Sequence, residues 1–304
     1  GSMDRQTLKK MRIGVLFGGR SSEREISLKS GKAVFDALVR LGYNAAAIDA
    51  QNGLVDKLKR QKVEAAFIVL HGRWGEDGTV QGLLELMGIP YTGPGVLGSS
   101  AAMDKATMKF ILQATHIPTP GYVIAGAGDR ITLKPPFVVK PANEGSTIGI
   151  SLVQKKKDLP AAMDLALRYD RKVVVEEFIA GQEITVAVIN GRALPVIEVR
   201  PRSGFYDFEA KYTKGMTEYI VPARISRAIA KKAQAIALNV CRRFDLSGCV
   251  RIDMLIKEDV PQVIDINTSP GMTETSLVPK AWAYEGGTFD ELIDEILSGA
   301  SLKI

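Results

Sequence analysis

Four polar side chains in two short apolar segments have the types and spacing to handle a metal ion and a phosphoryl group. Arg251 and Asp253 lie two residues apart in one segment, and Asp265 and Asn267 lie two apart in the other. Side chains two apart on a strand share a face. If the segments form a hairpin centred at Asp259, Asp253 lies opposite Asp265 and Arg251 opposite Asn267.

The predicted polar face carries two carboxylates, an amide oxygen and a guanidinium group. The oxygens form a hard-ligand set suited to magnesium, with nucleotide phosphates completing the shell, and the arginine can neutralise charge on a transferring phosphoryl group. Ile252, Ile264 and Ile266 are expected on the opposite, apolar face. The alternative is a hairpin with one solvated face, but such faces are usually rich in Lys, Glu and Thr, so the spacing favours a functional site.

A second candidate is the segment 140–149, in which Lys140 ends a strand and a loop of small residues follows. Glycines let backbone N–H groups approach phosphates closely, and the lysine adds a positive charge. The segment lacks the Gly-Lys-Ser/Thr of a Walker A loop. From these residues alone, an ordinary flexible hairpin loop is an equal alternative.

A third candidate combines Gly18, Gly19 and Glu23 with the segment 71–78, which begins at His71. The glycines do not match G-x-G-x-x-G, so a dinucleotide-binding fold receives little support. Glu23 also suits the first turn of a helix, and His71 suits a hydrogen-bonded structural role. Local features therefore favour structural roles for both side chains.

The elements that position these residues begin with an alternation of strands and helices. The residues Ser22 and Glu25 form an S-x-x-E pattern that predicts a capping box at the start of the first helix. Strands are predicted at 12–17, 45–48 and 65–70, with helices between them. This β-α-β-α-β order predicts a parallel sheet, whose ligands gather beyond the carboxyl ends of its strands, here at 18–23 and 71–78.

The rest of the chain predicts a smaller α+β unit followed by further strands. The predicted helices are 99–114, 158–169, 224–243 and 288–298, and the predicted strands are 137–140, 148–153, 172–178, 184–189, 194–199, 249–256 and 261–266.

Composition excludes several classes of protein. The 304 residues carry a net charge of +6, but basic residues are scattered and lack interleaved aromatics, so no nucleic-acid partner is expected. No apolar run approaches the ~20 residues that span a membrane, and no signal peptide is recognised, so a cytoplasmic location without membrane contact is expected. Cys241 and Cys249 form neither a CxxC motif nor a disulfide framework and are expected to be buried thiols.

Taken together, the motifs resemble the D-alanine–D-alanine ligase family from about Met11 to the C-terminus. The matching segments are 17–25, 70–78, 90–93, 103–105, 140–149, 206–212, 251–253, 267–273 and 276–279. The resemblance implies an α/β and α+β fold of three domains, the ATP-grasp fold. Its expected parts are an N-terminal parallel α/β domain (11–93), a central subdomain (94–176) and a C-terminal subdomain with the metal site and a closing loop (177–304).

The resemblance also implies an activity. ATP phosphorylates the carboxylate of a first D-alanine, and the amine of a second attacks the acyl phosphate, giving D-alanyl-D-alanine for peptidoglycan synthesis. The implied cofactors are ATP and two Mg²⁺ ions, for which Mn²⁺ can substitute, and the implied assembly is a homodimer.

Residue roles follow from the same resemblance. The implied catalytic and substrate-binding residues are Glu23, which holds the first ammonium group and hydrogen-bonds with Ser146 and Tyr212; His71 beside the carboxylate; Arg251 and the Gly271 amide at the oxyanion; and Ser276 and Leu277 at the second carboxylate. The implied nucleotide contacts are Lys105, Lys140 and Lys211 at the phosphates, Glu176, Glu177 and Ile179 at adenine, and Glu183 at the ribose. The implied metal ligands are Asp253, Asp265 and Asn267.

Three positions bear on specificity. The family usually has glutamate where this chain has Asp265, and the shorter arm predicts altered metal affinity or stoichiometry. Glu177 stands where a lysine is common, which predicts weaker nucleotide binding. Tyr212 in this family goes with dipeptide formation, whereas phenylalanine goes with a D-lactate product.

Three alternatives remain at this point. Another ATP-dependent carboxylate ligase would share the phosphate contacts but activate a different acid, and Glu23, Tyr212 and Ser276-Leu277 are the residues that favour a dipeptide ligase over it. A D-alanine–D-serine or D-alanine–D-lactate ligase is a narrower version of this alternative. A regulatory nucleotide-binding protein would have lost catalytic groups such as Arg251 and Lys211, which are present here. A nucleic-acid binder has only the net charge in its favour.

Overall fold

The computed structural model describes residues 3–144, 148–201 and 217–304. Its first sheet is parallel, with β1 between β2 and β3. The elements of this part are α1 (Arg5–Lys10), β1 (Arg12–Phe17), α2 (Arg24–Arg40), β2 (Asn44–Asp49), α3 (Leu54–Arg60), β3 (Ala65–Ile68) and α4 (Thr79–Met87). The predicted β-α-β-α-β order is confirmed, while α1 and α4 were not predicted.

The start of α2 differs from the prediction. The helix is preceded by Glu23, and no side chain caps its N-terminus, so the capping box predicted at Ser22 is wrong. Instead, Ser21 Oγ accepts a hydrogen bond from the backbone N–H of Glu23 at 3.2 Å. The Glu23 side chain lines a cavity and is thereby directed to the site described below.

The helix predicted at 99–114 is two helices, α5 (Val96–Met103) and α6 (Lys105–Ala114). The break falls at Asp104, whose extended backbone (φ −77°, ψ 107°) cannot continue a helix. Its carboxylate accepts a hydrogen bond from the Thr107 N–H at 2.9 Å and caps α6. As a result Lys105 lies in the first turn of α6.

The second sheet is antiparallel, in the order β4-β7-β5-β6. Its elements are β4 (Tyr122–Ala125), β5 (Phe137–Pro141), β6 (Ser151–Val153), a 3₁₀ turn (Lys156–Asp158), α7 (Leu159–Leu167) and β7 (Val173–Glu177). The strand predicted at 148–153 is shorter, because it begins at Ser151. Val139 and Val175 of this sheet pack against Ala162 and Ala166 of α7.

The third sheet has the order β11-β10-β8-β12-β13, and β9 also pairs with β8. Its elements are β8 (Glu183–Ile189), β9 (Arg192–Ala193), β10 (Ile197–Pro201), β11 (Thr217–Ile220), α8 (Arg227–Arg243), β12 (Cys249–Lys257), β13 (Val260–Asn267), α9 (Leu277–Tyr284) and α10 (Phe289–Ser298). The strand predicted at 194–199 is replaced by β9 and β10, and α9 was not predicted. Each sheet lies largely within one predicted domain, and the boundaries themselves stay a prediction.

The hairpin of β12 and β13 has the predicted pairing at its polar end. Arg251 lies opposite Asn267, and Asp253 lies opposite Asp265. The turn, however, is centred between Glu258 and Asp259, both with positive φ, as in a two-residue hairpin turn.

A β-bulge between Asp253 and Met254 absorbs this one-residue difference in register. The bulge also changes the face of Ile264, which packs with Leu255 and Ile179. Leu255 is two residues from Asp253 and shares its face. The prediction that Ile264 lies on the opposite face with Ile252 is therefore wrong.

Two large apolar clusters hold the elements together. One packs the first sheet and α2 against α9, α10 and residues of β8 and β10. The other packs α5, α6 and α8 against β8, β12 and β13. Cys249 belongs to the first and Cys241 to the second; both are buried and free, which confirms the prediction. Burial raises the pKa of each thiol to about 12.

Across the three described ranges, no helix combines the length and apolar character needed to cross a membrane.

The C-terminal tail is fixed to the first sheet through Lys303. Its ammonium group lies 3.8 Å from the centre of the Tyr91 ring. It donates to the carbonyl of Tyr91 and to that of Ser301 at 2.8 Å, while the backbone N–H of Lys303 donates to Glu85 at 2.6 Å. Burial lowers the pKa of Lys303 to about 7, against the opposing charge of Glu85.

This arrangement predicts a pH dependence of stability. The unfolded chain has a lysine pKa of about 10.4, so between pH 7 and 10 it binds more protons at Lys303 than the folded chain. Stability must therefore gain from this group as the pH rises. We expect Lys303→Met to flatten the rise in melting temperature over that range. The control is Lys32→Met, at a lysine whose side chain is 77% exposed; equal pH profiles for the wild type and Lys303→Met would contradict the prediction.

Candidate functional site

A cavity of about 420 Å³ lies between the loops that follow β1 and β3 and the polar end of the β12–β13 hairpin. Its wall brings together seven of the residues predicted from the sequence: Glu23, His71, Lys105, Arg251, Asp265, Asn267 and Gly271. Residues that are far apart in the sequence thus lie around one cavity. The parallel sheet contributes its carboxyl-end loops, as expected for such sheets.

Arg251 and Asp253 form a bidentate ion pair on β12. The Nε–Oδ1 distance is 2.9 Å and the Nη2–Oδ2 distance is 3.1 Å. Thr185 of β8 donates to Asp253 Oδ1 at 2.6 Å. Burial disfavours the charge on Arg251, but the carboxylates of Asp253 and Asp265 outweigh it, and the pKa of Arg251 is raised. The guanidinium group is therefore a fixed positive charge at the cavity wall.

Asp265 and Asn267 on β13 are held by short backbone contacts. Asp265 Oδ1 accepts from the N–H of Ile266 at 2.9 Å, and Asn267 Oδ1 accepts from the N–H of Ser269 at 3.0 Å. With Asp253 directly opposite Asp265, the donors are two carboxylates and one amide oxygen, which fits magnesium. The described residues include no group of three or more His, Cys, Asp or Glu side chains that could hold a metal, so phosphate or water oxygens must complete any shell.

His71 is buried in the wall, and its Nε2 atom has no hydrogen-bond partner. Burial lowers its pKa, although the charge of Glu23 and the carbonyl of Ser269 act in the opposite direction. The imidazole is therefore neutral near pH 7. A neutral imidazole can offer Nε2 to a ligand as donor or acceptor, according to its tautomer.

Glu76 also lines the cavity, although the sequence had suggested no role for it. Burial raises its pKa to about 8, and the charges of Glu23 and Asp265 add to the effect. Its Oε2 accepts from the N–H of Gly72 at 2.7 Å. The segment 71–78 is a candidate from the sequence, but its pattern does not indicate that Glu76 faces the same cavity as His71.

Gly72 lies close to the Glu23 side chain. A Cβ atom at this position would lie 3.0 Å from Glu23 Oε2 and 3.1 Å from Ser21 Cβ, and the backbone has a φ of +71°. The positive φ favours glycine here, and a larger residue would also have to displace the Glu23 carboxylate slightly. The loop after β3 is thereby packed directly against the start of α2.

Two predicted nucleotide contacts belong to a buried charge cluster. Glu176 lies between Lys109 and Lys140, and the Lys140 Nζ–Glu176 Oε1 distance is 3.0 Å. Burial acts to raise the pKa of Glu176, but the two ammonium groups outweigh it and the pKa is lowered. Lys109, for which the sequence predicts no role, also donates to Thr119 Oγ1 at 2.7 Å.

The next residue, Glu177, pairs with Lys257 at 2.6 Å, so a cation from the end of β12 lies beside it. Ile179 packs with Leu255 and Ile264 in a small apolar cluster. Glu183 begins β8, opposite Leu255. This small apolar cluster thus has the charged groups of Glu177, Lys257 and Glu183 as neighbours along β7, β8 and β12.

The segment after β13 carries the remaining predicted residues. Ser276 Oγ accepts from the N–H of Thr273 at 3.1 Å, and a Cβ atom at Gly271 would lie 3.1 Å from it. The Leu277 side chain packs against the first apolar cluster. The Ser276 hydroxyl, in contrast, lies near Gly271. Ser146, Lys211 and Tyr212 lie outside the described residues.

Comparison with known proteins agrees with this geometry. Residues 100–298 match the family model described as D-ala D-ala ligase C-terminus, and residues 48–94 match the one described as D-ala D-ala ligase N-terminus. A D-alanine--D-alanine ligase from Syntrophotalea carbinolica is 50% identical over 99% of this chain and 100% of its own length. One from Geotalea uraniireducens is 46% identical over 98% of both.

Two solved structures are similar as well. The D-alanine--D-alanine ligase of Bacillus anthracis has a TM-score of 0.86 at 34% identity, covering 95% of this chain and 97% of that one. Its complex with ATP has a TM-score of 0.84 at 32% identity, over the same shares. The three-domain ATP-grasp fold class expected from the resemblance is confirmed. By sequence over its full length, by structure and by the residues around the cavity, the chain belongs to the D-alanine–D-alanine ligase family.

Proposed function

We propose that the chain joins two D-alanines to D-alanyl-D-alanine at the expense of ATP, for peptidoglycan precursor synthesis. One observation carries the proposal: a single cavity brings the phosphoryl-handling face of Arg251, Asp265 and Asn267 together with Glu23 and His71. A carboxylate is a poor electrophile, so amide formation needs its activation. The cavity offers groups for an amino acid on one wall and groups for a phosphoryl transfer on the other.

In the first step, a carboxylate oxygen of the first D-alanine attacks the γ-phosphorus of ATP and the bond to the β,γ-bridging oxygen breaks, releasing ADP. Glu23 holds the ammonium group of this substrate, and the neutral His71 lies beside its carboxylate. The guanidinium of Arg251 stabilises the negative charge that spreads over the transferring group. These roles are supported by the fixed charge of Arg251 and the orphaned Nε2 of His71.

In the second step, the amine of the second D-alanine attacks the acyl carbon, loses a proton, and displaces phosphate with the electron pair of the broken C–O bond. Arg251 and the Gly271 amide stabilise the oxyanion, and Ser276 with the backbone of Leu277 receives the second carboxylate. Tyr212 with Ser146 completes the Glu23 set. The identity of Tyr212 supports D-alanine rather than D-lactate as the second substrate.

The nucleotide lies against the second sheet. Lys105, Lys140 and Lys211 contact its phosphates, while Glu176, Glu177 and Ile179 face adenine and Glu183 the ribose. The Lys257 ammonium beside Glu177 supplies a positive charge near the position where relatives commonly have lysine. We expect this pair to offset part of the weaker binding predicted from Glu177.

Two magnesium ions, replaceable by manganese, complete the proposal, with Asp253, Asp265 and Asn267 as their protein ligands. When bound, the ions neutralise charge on the nucleotide phosphates. A homodimer and a cytoplasmic location also belong to the proposal.

The test is release of phosphate from ATP and Mg²⁺ in the presence of D-alanine, L-alanine, or D-alanine with D-lactate, with the product identified by mass. We expect release that requires D-alanine and yields the dipeptide. Incubation with ATP alone measures background hydrolysis. ATP binding without phosphate release under any of these conditions would overturn the proposal and favour a regulatory nucleotide-binding protein.

A further inference from the structure

Arg73 joins the loop after β3 to the segment that follows β5. It comes two residues after His71, which lines the cavity. Its Nη2 atom lies 3.0 Å from Glu144 Oε1 and donates to the carbonyl of Tyr169 at 3.2 Å. The Glu144 side chain is only 16% exposed, so the pair is partly shielded from solvent.

Glu144 is in turn bonded to Lys105. The Lys105 ammonium donates to the backbone carbonyl of Glu144 at 2.9 Å, and the backbone N–H of Lys105 donates to the carbonyl of Ala142, also at 2.9 Å. Lys105 is 6% exposed and lines the cavity. A lysine ammonium has three donors, so this bond fixes its direction and leaves two for a ligand.

The preceding residue, Asn143, is anchored from another side. Its backbone N–H and its side-chain amide donate to Asp170 Oδ2 at 3.0 and 2.8 Å. The backbone before Glu144 is therefore tied to the segment between α7 and β7. The hydrogen bond from Arg73 ties the Glu144 side chain to the loop beside Glu23.

We propose that Arg73 is a positioning residue that couples the amino-acid side of the cavity to Lys105 by way of Glu144. The inference rests on the proposed function, in which Lys105 contacts the nucleotide phosphates. Packing of Gly72 against Glu23 fixes where Arg73 starts, its ion pair fixes Glu144, and the Glu144 carbonyl directs the Lys105 ammonium. Order at the amino-acid wall is thus transmitted to the phosphate contact.

Loss of the guanidinium group should act mainly on nucleotide binding. Arg73→Ala frees Glu144 to reorient, and Lys105 then loses its defined direction toward the phosphates. We expect the KM for ATP to rise about fivefold, the upper range for a partly shielded ion pair, with kcat changed less than twofold. The melting temperature should stay within about 2 °C of the wild type, because Arg73 is 47% exposed.

The experiment measures KM for ATP, kcat and melting temperature for Arg73→Ala, Glu144→Gln, their double variant and the charge swap R73E/E144R. Coupling predicts that the double variant resembles each single one and that the swap restores part of the ATP affinity. The matched control is Arg192→Ala. Arg192 is an exposed arginine that makes a 2.9 Å contact with Glu285, and it does not line the cavity. Its replacement should leave the KM for ATP unchanged.

Lys105→Met separates the possible failures. If it raises the KM for ATP while Arg73→Ala and Glu144→Gln match Arg192→Ala, the coupling through Arg73 is wrong and the role of Lys105 stands. If Lys105→Met leaves the KM unchanged, both that role and the coupling fail. A wild-type protein without D-alanine-dependent phosphate release would instead refute the proposed function itself.

Discussion

Arg251→Ala is expected to lower kcat for phosphate release by at least a hundredfold, with smaller changes in the KM for ATP and D-alanine. The guanidinium is held against Asp253 by two bonds, so it faces the cavity without reorganising during the reaction. Preorganised groups of this kind contribute about 10²–10³ in rate when one donor is removed. Initial rates of phosphate release at varied ATP and D-alanine give both constants.

Two further variants make this result specific. Arg251→Lys keeps the charge but loses the planar fork, and should recover only part of the activity. Arg224→Ala removes another bidentate ion pair, in which Arg224 donates to Glu198 of β10 at 3.1 and 2.7 Å. Neither residue of this pair lines the cavity. This variant should keep near-normal kcat. Near-normal phosphate release by Arg251→Ala would show that the assigned chemistry is wrong.

In the β12–β13 hairpin, the alternation of side chains predicts which residues share a face but not the position of a bulge. The two-residue alternation placed Arg251 with Asp253 and Asp265 with Asn267 on one face, and the structure agrees. The chosen centre, Asp259, was half a residue from the true turn centre. The pairing was nevertheless correct, because a bulge supplies one extra residue on β13. A bulge of this kind has no simple signature in an alternating apolar strand, so the side taken by Ile264 could not be predicted.

Tertiary contacts decided the other differences. The break between α5 and α6 could have been predicted in part, because Asp104 is a good N-cap residue inside an otherwise helical pattern. The absence of a capping box at α2 could not be predicted from the sequence. Glu23 precedes the helix and lines the cavity, and its side chain does not cap the N-terminus. Glu76 and Arg73 lay within a recognised motif, but their partners, Gly72 and Glu144, are set by loop geometry that spacing alone does not define.

The buried cluster of Glu176 with Lys109 and Lys140 was likewise invisible to local patterns. Lys105 and Lys109 are one helical turn apart on α6 and share a face, which was a usable sign that Lys109 also points inward. The sequence could not reveal that β7 places Glu176 between it and Lys140. The charges of Lys109 on α6, Lys140 on β5 and Glu176 on β7 compensate one another. Removing the single carboxylate should therefore destabilise the fold strongly.

Glu176→Leu is expected to lower the free energy of unfolding by about 3–5 kcal/mol, the usual cost of breaking a buried ion pair by removing one partner. The Lys109 side chain is 0% exposed and that of Lys140 10% exposed, so their ammonium groups would lose a counter-charge where water cannot replace it. The measurement is equilibrium denaturant unfolding followed by circular dichroism, which also shows whether the slope with denaturant is unchanged.

The neighbouring residue supplies the matched control. Glu177 carries the same side chain on the same strand, but its pair with Lys257 is 39–40% exposed, so Glu177→Leu should cost about 1 kcal/mol or less. Adding Lys109→Met to Glu176→Leu should recover part of the loss, since it removes a buried charge left without its partner. If Glu176→Leu and Glu177→Leu destabilised the protein equally, the buried cluster would not be the source of the stability assigned to it, and its remaining role would be to hold Lys140 toward the nucleotide.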